Sequence, residues 1–283
     1  MITRFAPSPT GPLHLGHAYS ALFAYDMAVN AGGTFLIRIE DIDQSRARPE
    51  WEAQIYDDLH WLGVRWEEPV RRQSDHFDTY YKVIDQMWWD KLLYQCTCTR
   101  SDIQAALSAP QEGAYGPDGI IYPGTCRNTA AERDHYPSSP PKDAVLRLDL
   151  TTYPNGLSPF HFHDAIKGDT RFTIEDAQRE IGDFIVGRKD SGTSYHLSVV
   201  RDDAAQGITD VIRGEDLFEA TKIHVILQKI LNLPTPTYHH HKLIRDDQGK
   251  RLAKRDDARA IAKYRAEGAT PNDIRRMVGL PEV

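Results

Sequence analysis

The residues best placed to do chemistry begin at His14. The stretch His14-Leu15-Gly16-His17 follows Pro7-Ser8-Pro9-Thr10-Gly11-Pro12, a run that cannot pair regularly because proline fixes φ and lacks an amide donor. If a helix starts here, His14 and His17 share one face of its first turn. A helix N-terminus behind a strand attracts anions through its open N–H groups and its dipole. Two imidazoles at that point could donate to phosphate oxygens, and Gly16 would let a flat group approach the backbone. Two solvated surface histidines are the plainer alternative.

A second candidate lies downstream. The run Asp246-Asp247-Gln248-Gly249-Lys250-Arg251-Leu252-Ala253-Lys254-Arg255 is a polar loop with four basic residues. A mobile basic loop suits a leaving pyrophosphate, on which charge develops in the transition state. Alone it would read as a solvated charge run. The third candidate is Cys96-Thr97-Cys98 with Cys126. A Cys-x-Cys pair with a third thiol beyond a Pro-Gly turn suggests tetrahedral zinc, with buried inert thiols as the alternative. Local spacing offers His135 and Asp102 as a fourth ligand.

The elements that must hold these groups follow from hydrophobic periodicity. Ile2 to Ala6 reads as a strand, Leu13 to Asn30 as a helix ended by Ala31-Gly32-Gly33, and Thr34 to Glu40 as a buried strand. Together they form a βαβ unit, the seed of a parallel α/β sheet. Helices are expected over Pro49 to Leu62, Phe77 to Leu93 and Leu217 to Leu231, with two short ones between Asp257 and Val283. Short β-like runs cover Val145 to Leu150 and Phe160 to Ile166. Asp183 to Arg188, Thr209 to Arg213 and Tyr238 to Ile244 read as returning core strands. From about Tyr94 to Pro141 apolar periodicity lapses, and all three cysteines fall there.

Composition sets the bounds. The chain has 283 residues, 40% hydrophobic and 27% charged, as an ordinary globular protein does. A net charge of −7 argues against a general nucleic-acid coat but leaves room for a local basic groove. Three cysteines cannot all pair within the chain, so a disulfide framework is not expected. No run reaches the roughly 20 apolar residues of a membrane span, and the start lacks a signal-peptide core. A cytoplasmic protein is expected.

Here the motifs become recognisable. His14-Leu15-Gly16-His17 resembles the HIGH signature of class I aminoacyl-tRNA synthetases, and Arg251-Leu252-Ala253-Lys254-Arg255 resembles their KMSKS loop. Arg251 stands where Lys is usual, which keeps the charge; Ala253 stands where Ser is usual, which loses a hydroxyl. Three further stretches resemble the glutamyl/glutaminyl branch: Arg4-Phe5-Ala6-Pro7-Ser8-Pro9-Thr10-Gly11, Arg38-Ile39-Glu40-Asp41 and Val211-Ile212-Arg213-Gly214-Glu215-Asp216. Glutamyl-tRNA synthetases continue into a large anticodon-binding region, whereas this sequence stops soon after the basic loop, at Val283. A free-standing catalytic domain of this kind resembles the glutamyl-queuosine tRNA(Asp) synthetase family, which attaches glutamate to the queuosine base of the anticodon instead of the tRNA 3′ end.

The resemblance implies an α/β fold: a Rossmann-type parallel sheet with an inserted zinc-containing module and a helical tail. Residues 1–93 would be the first half of the catalytic domain and 94–141 the inserted module. Residues 142–256 would hold an acceptor-like insertion and the second catalytic half, and 257–283 the tail. Arg4, Phe5, Ala6, Pro7, Ser8, Glu40, Tyr195 and Arg213 would bind glutamate. Arg213 would meet the side-chain carboxylate and Glu40 the ammonium, since a planar guanidinium matches a carboxylate. His14, Gly16, His17 and Lys254 would bind ATP, with Mg2+ accompanying it, and His14, His17 and Lys254 would act in catalysis. In His239-His240-His241 strand neighbours face opposite ways, so the three cannot converge on one metal; His240 is expected to line the ATP site and the other two to be structural. One structural Zn2+ would sit on Cys96, Cys98, Tyr122 and Cys126. The implied partners are ATP, L-glutamate and queuosine-bearing tRNA(Asp), for a monomer away from membranes. Arg71-Arg72 and Arg275-Arg276 are candidate phosphate contacts or plain solvated faces. A compact synthetase charging a tRNA 3′ end and a non-catalytic binding protein are the competing readings.

Overall fold

In the computed structural model, which describes residues 1–106, 115–127, 132, 135–153, 159–244 and 259–283, the opening βαβ unit forms as the periodicity predicts. Strand β1 (Ile2–Phe5) leads through the proline loop into α1 (Leu15–Asn30) and returns as β2 (Thr34–Ile39). Gly32, at φ 59°, takes the left-handed turn that stops α1. A Cβ on Gly33 would lie 2.1 Å from the Met1 carbonyl oxygen, so glycine is needed where the chain returns to its own start. Helix α2 (Pro49–Trp61), β3 (Arg71–Arg72) and α3 (Phe77–Trp89) follow. Strands β1, β2 and β3 are parallel, with Arg4 opposite Leu36 and Arg38 opposite Arg71.

Next come β4 (Leu93–Cys96), α4 (Arg100–Ala106), the short hairpin β5 (Tyr115–Gly116) and β6 (Gly119–Ile120), and β7 (Val145–Leu148). Strands β8 (Phe160–Asp164) and β9 (Gly168–Phe172) form an antiparallel pair, followed by α5 (Ile174–Glu180), β10 (Ile185–Gly187) and α6 (Tyr195–Ala205). The chain closes with β11 (Asp210–Gly214), α7 (Thr221–Ile230), β12 (Thr237–His241), α8 (Ile261–Ala266) and α9 (Pro271–Val278).

Strands β11 and β12 are parallel, with Arg213 opposite His240. The start of β11 lies beside β1: Ile2 N donates to Thr209 Oγ1 at 2.8 Å, and Thr209 N donates to Ile2 O at 3.0 Å. The order β3-β2-β1-β11-β12 therefore reverses its winding between β1 and β11. In open α/β sheets that crevice, outside the carboxyl ends of the strands, is where ligands bind.

Not every expected strand joins this sheet. The Asp183 to Arg188 stretch supplies β10, which pairs antiparallel with β7 and, through it, β4 in a separate sheet. The expected helix from Leu217 starts later, because Glu215–Leu217 forms a 3-10 turn before α7. Helices α5 and α6 carry no sequence stripe strong enough to have been expected. Among the described residues, no helix is long and apolar enough to cross a membrane.

One buried ion network ties β1, β2, β3, α3 and α6 together. Arg38 is fully buried and donates to Asp203 at 2.7 Å and Glu40 at 3.2 Å. Arg4 donates to Asp203 at 2.9 Å. Asp202 accepts from Arg71 at 2.8 Å, Gln73 at 2.9 Å and Tyr80 at 2.8 Å. Removing one member of a buried ionic group costs about 3–5 kcal/mol, whereas an exposed pair is worth about 0–1 kcal/mol. Asp202→Ala should therefore lower unfolding free energy in urea by about 3–5 kcal/mol. Asp43→Ala, which breaks the exposed pair with Arg46, should change it by less than about 1 kcal/mol.

Candidate active site

A cavity of about 380 Å3 opens at the winding reversal. Its floor comes from the carboxyl ends of β1 (Arg4, Phe5, Ala6) and β11 (Ile212, Arg213, Gly214), with Glu40 just beyond β2. The first turn of α1 contributes His14, Gly16 and His17, and the first residue of α6 contributes Tyr195. Nine of the expected residues thus meet in one space. Pro7 and Ser8 do not line it; the Pro7 carbonyl instead accepts from Glu40 N at 3.0 Å and fixes the end of β2. Lys254 and its basic loop lie outside the described residues.

The histidine pair is built into the helix start. His14 is the N-cap: its Nδ1 accepts from Gly16 N at 3.1 Å, and His17 Nδ1 accepts from His14 N at 3.1 Å. The rings stack with centroids 3.8 Å apart. An imidazole accepting at Nδ1 carries its proton on Nε2, so both rings are Nε2–H donors. A Cβ on Gly16 would come within 3.0 Å of the His14 ring, which gives the glycine a reason within the chain itself.

The cavity's charges are arranged unequally. Arg4 is paired with Asp203, and Glu40 with Arg38. Burial pushes the Glu40 carboxyl up, against the pull of Arg38 and Arg4. Burial would also raise Asp203, but Arg4 and Arg38 outweigh it and hold that carboxyl low. Tyr195 is raised by burial and by the Glu40 charge, so its hydroxyl stays protonated and can donate.

Arg213 is held differently. Its Nε donates to His240 Nε2 at 3.1 Å, its Nη1 to His224 Nδ1 at 3.1 Å and its Nη2 to Thr221 Oγ1 at 2.6 Å. Among the described residues no carboxylate lies in ion-pair range of its guanidinium. Burial and the Arg213 charge push His240 down to about 4 and His224 well below its ordinary value, so both rings are neutral. The guanidinium is thus oriented on three sides while, among the described residues, no carboxylate pairs with its charge.

His240 does not line the cavity. It is buried behind Arg213, with its Nδ1 on Asp164 Oδ2 at 2.6 Å. Its neighbour His241 faces the cavity and Ser20, 2.8 Å from His241 Nε2. The alternation of side chains along β12 was the right rule applied in the wrong register. Sequence reasoning also missed Ser20, Asp216, Leu243 and Ile244 in the lining.

Comparison with known proteins bears on this arrangement. Residues 1–281 match the family described as tRNA synthetases class I (E and Q), catalytic domain. The chain belongs to this family. A relative from Rhodobacter capsulatus named glutamyl-Q tRNA(Asp) synthetase is 59% identical over 99% of this chain and 100% of its own. A protein of the same name from Symbiobacterium thermophilum is 38% identical over 96% of this chain and 83% of its own. The crystal structure of a glutamate tRNA ligase from Elizabethkingia meningosepticum in complex with its amino acid is similar, with a TM-score of 0.76 and 28% identity. That match covers 98% of this chain and 60% of the ligase.

This class I synthetase domain also gathers its thiols. Cys96, Cys98 and Cys126 bring their sulfurs within 4.8 Å of one another. Tyr122 Oη lies 3.4 Å from Cys98 Sγ and accepts from Cys126 N at 2.8 Å. Burial would raise the Cys126 thiol, but hydrogen bonds led by Tyr122 pull it down to about 6. Three convergent thiols with a phenol oxygen among them suit a tetrahedral soft ion. Asp102 is committed elsewhere, accepting from Thr99 N at 2.8 Å at the start of α4, and His135 is exposed outside the group.

The candidate phosphate contacts of the synthetase domain are all in ion pairs. Arg71 meets Asp202, Arg72 meets Glu52, Arg275 meets Asp26, and Arg276 meets Asp273 and Glu282. The largely buried pairs of Arg71 and Arg275 help hold the fold together, whereas Arg72 is half-exposed and Arg276 lies on a solvated face.

The capping geometry makes a prediction. Asparagine is a good N-cap and alanine a poor one, by about 0.5–2 kcal/mol. His14→Ala should lose about that much stability in urea melts, and His14→Asn should recover most of it. Equal stability of the two variants would show that the imidazole is not the cap.

Proposed function

We propose that this chain activates L-glutamate with ATP and transfers it to the queuosine base of tRNA(Asp). The observation that carries the reading is Arg213: a buried guanidinium, oriented by neutral groups, facing the same cavity as Glu40 and the His14–His17 turn. Its uncompensated charge suits the side-chain carboxylate of glutamate. Glu40 takes the ammonium, Arg4 and Tyr195 complete the pocket, and the α-carboxylate is left toward the start of α1. The named relatives, one matching over its full length, support queuosine as the acceptor over a tRNA 3′ end.

In the first step the α-carboxylate oxygen attacks the ATP α-phosphorus, the bond to the bridging oxygen breaks, and pyrophosphate leaves. The nucleophile is already ionised, so the work is positioning and charge stabilisation. The Nε2–H groups of His14 and His17, with the α1 dipole, hold the phosphates. Lys254 neutralises the leaving oxygens. Mg2+ accompanying ATP supplies further charge stabilisation through the phosphate oxygens. In the second step a hydroxyl of the queuosine cyclopentene-diol attacks the adenylate carbonyl and AMP departs.

Residues 94–141 serve as a zinc-binding insertion between the catalytic halves, 1–93 and 142–256, with 257–283 as a helical tail. Cys96, Cys98, Cys126 and Tyr122 would hold one Zn2+, whose role is structural.

Labelled glutamate, ATP and Mg2+ should label queuosine-containing tRNA(Asp) and leave queuosine-free tRNA unlabelled. Removal of the 3′-terminal adenosine should not prevent labelling. Labelling that ignores queuosine and needs that adenosine would make the chain a 3′-end synthetase. Arg213→Ala should raise glutamate KM roughly 30-fold or more, the equivalent of losing one partner of a buried charged contact. Lys254→Ala should lower glutamate-dependent pyrophosphate exchange by about 100-fold or more. Metal analysis should find one Zn2+ per chain, lost in Cys98→Ser and kept in Asp102→Ala.

A further inference from the structure

Arg213 cannot hold its orientation alone. A guanidinium on a long stem is fixed only by acceptors that are themselves fixed, and a neutral imidazole accepts at one nitrogen only. His224 must therefore present Nδ1 to Arg213, which places its proton on Nε2. That nitrogen lies 3.1 Å from His196 Nδ1. Accepting there leaves the His196 proton on Nε2, which lies 3.5 Å from Asp118 Oδ1. Two hydrogen bonds run in one direction, Arg213 to His224 and His224 to His196, and His196 Nε2 ends in ion-pair range of Asp118. The two imidazoles are buried, and their rings meet edge to face with centroids 5.2 Å apart.

The far end of this chain lies on another element. Asp118 sits in the turn between β5 and β6, four residues before Tyr122. Tyr122 bridges to Gly182 and carries the phenol among the three thiols. The cysteine-bearing segment thus reaches the substrate cavity through two histidines that do not line it.

We propose that His196 and Asp118 are positioning residues for glutamate selection, acting through His224 to aim the Arg213 guanidinium. This rests on Arg213 as the partner of the glutamate side-chain carboxylate. Neither residue touches substrate. A second arm, Asp164 to His240 to Arg213 Nε, fixes the other side of the guanidinium. The two arms together set the plane in which a carboxylate is met. Losing the first arm lets the plane rotate and weakens glutamate binding, while the phosphate-holding turn of α1 is undisturbed.

The test compares His196→Leu, which removes the hydrogen bond to His224 and the contact with Asp118, with His196→Asn, whose amide oxygen falls near the Nδ1 position and restores the acceptor for His224. His196→Leu should raise glutamate KM and the calorimetric Kd for glutamate roughly tenfold, about one hydrogen bond's worth. The ATP KM and the kcat at saturating glutamate should stay within about twofold. His196→Asn should recover most of the loss. Equal glutamate KM for the two variants would overturn the proposal, as would a His196→Leu effect that falls equally on ATP. If His196→Leu does not fold, Asp118→Ala, at a half-exposed position, carries the test: roughly threefold weaker glutamate binding supports the relay, and unchanged binding overturns it. Wild-type chain that binds no glutamate would overturn the functional reading and the relay together. Wild-type binding with unchanged variants would overturn the relay alone.

Discussion

A charge taken out of water needs a countercharge, and much of this molecule is arranged around that requirement. Arg38 lies near the carboxyl end of a largely buried strand, with no exposure of its own. Its charge is met by Asp203 and Glu40, with Asp202 at 4.0 Å. Two of these carboxylates come from α6, near the opposite end of the helix from Tyr195. Meeting the charge of Arg38 therefore docks α6 against β2, and docking α6 brings Tyr195 to the cavity. The same helix carries His196, so both the visible edge of the pocket and its hidden support follow from one electrostatic demand. Arg4 joins through Asp203 and is neutralised in doing so.

The contrast between Arg4 and Arg213 would account for the selection of glutamate in the proposed reading. Both lie at strand ends bordering the winding reversal, and both are buried. Arg4 has a carboxylate at 2.9 Å; Arg213 has imidazoles, a hydroxyl and a carbonyl. A buried cation surrounded by neutral acceptors is oriented without being satisfied electrostatically, and an anion that enters gains the full interaction. Glutamine, isosteric with glutamate but uncharged, would gain only the hydrogen bonds. Neutrality of His224 and His240 is part of this design. Protonating either would place a second cation against the first, and burial together with Arg213 prevents it.

The sequence revealed the parts whose signal is local. The βαβ unit, the histidine turn and the thiol group were readable because turn residues, helical period and cysteine spacing are short-range features. Helix α6 was not. Its residues Tyr195-His196-Leu197-Ser198-Val199-Val200-Arg201-Asp202-Asp203 are buried almost throughout, polar and apolar alike. A helix buried on all sides has no amphipathic stripe, and buried aspartates read as loop residues when their arginines are more than a hundred positions away. Strand β10 failed for a related reason, since a short apolar run does not say which sheet it joins. On β12, alternation separated the three histidines correctly, but only pairing with β11 decides that His240 sits behind Arg213 and His241 faces the cavity. Pro7 and Ser8 matched the motif and missed the lining, because Pro7 serves the backbone of Glu40 instead.

The histidine turn shows how a structural bond can set a chemical property. An N-cap must accept hydrogen bonds from the first helical N–H groups, and serine, threonine, aspartate or asparagine usually do so. Here His14 accepts from Gly16 N, and His17 accepts from the N–H of His14, a reciprocal pair built from imidazoles. Each ring must then be unprotonated at Nδ1, and its proton must be at Nε2. An aspartate cap would serve the helix equally well but would put negative charge where the proposed reading places phosphate. Serine or threonine would be neutral but too short to reach beyond the turn. An imidazole accepts inward, donates outward and brings no repelling charge. Gly16 completes the arrangement, since a Cβ there would press on the ring that forms the cap. The bond that starts the helix and the donor that the proposed reading offers to phosphate are therefore two ends of the same tautomer.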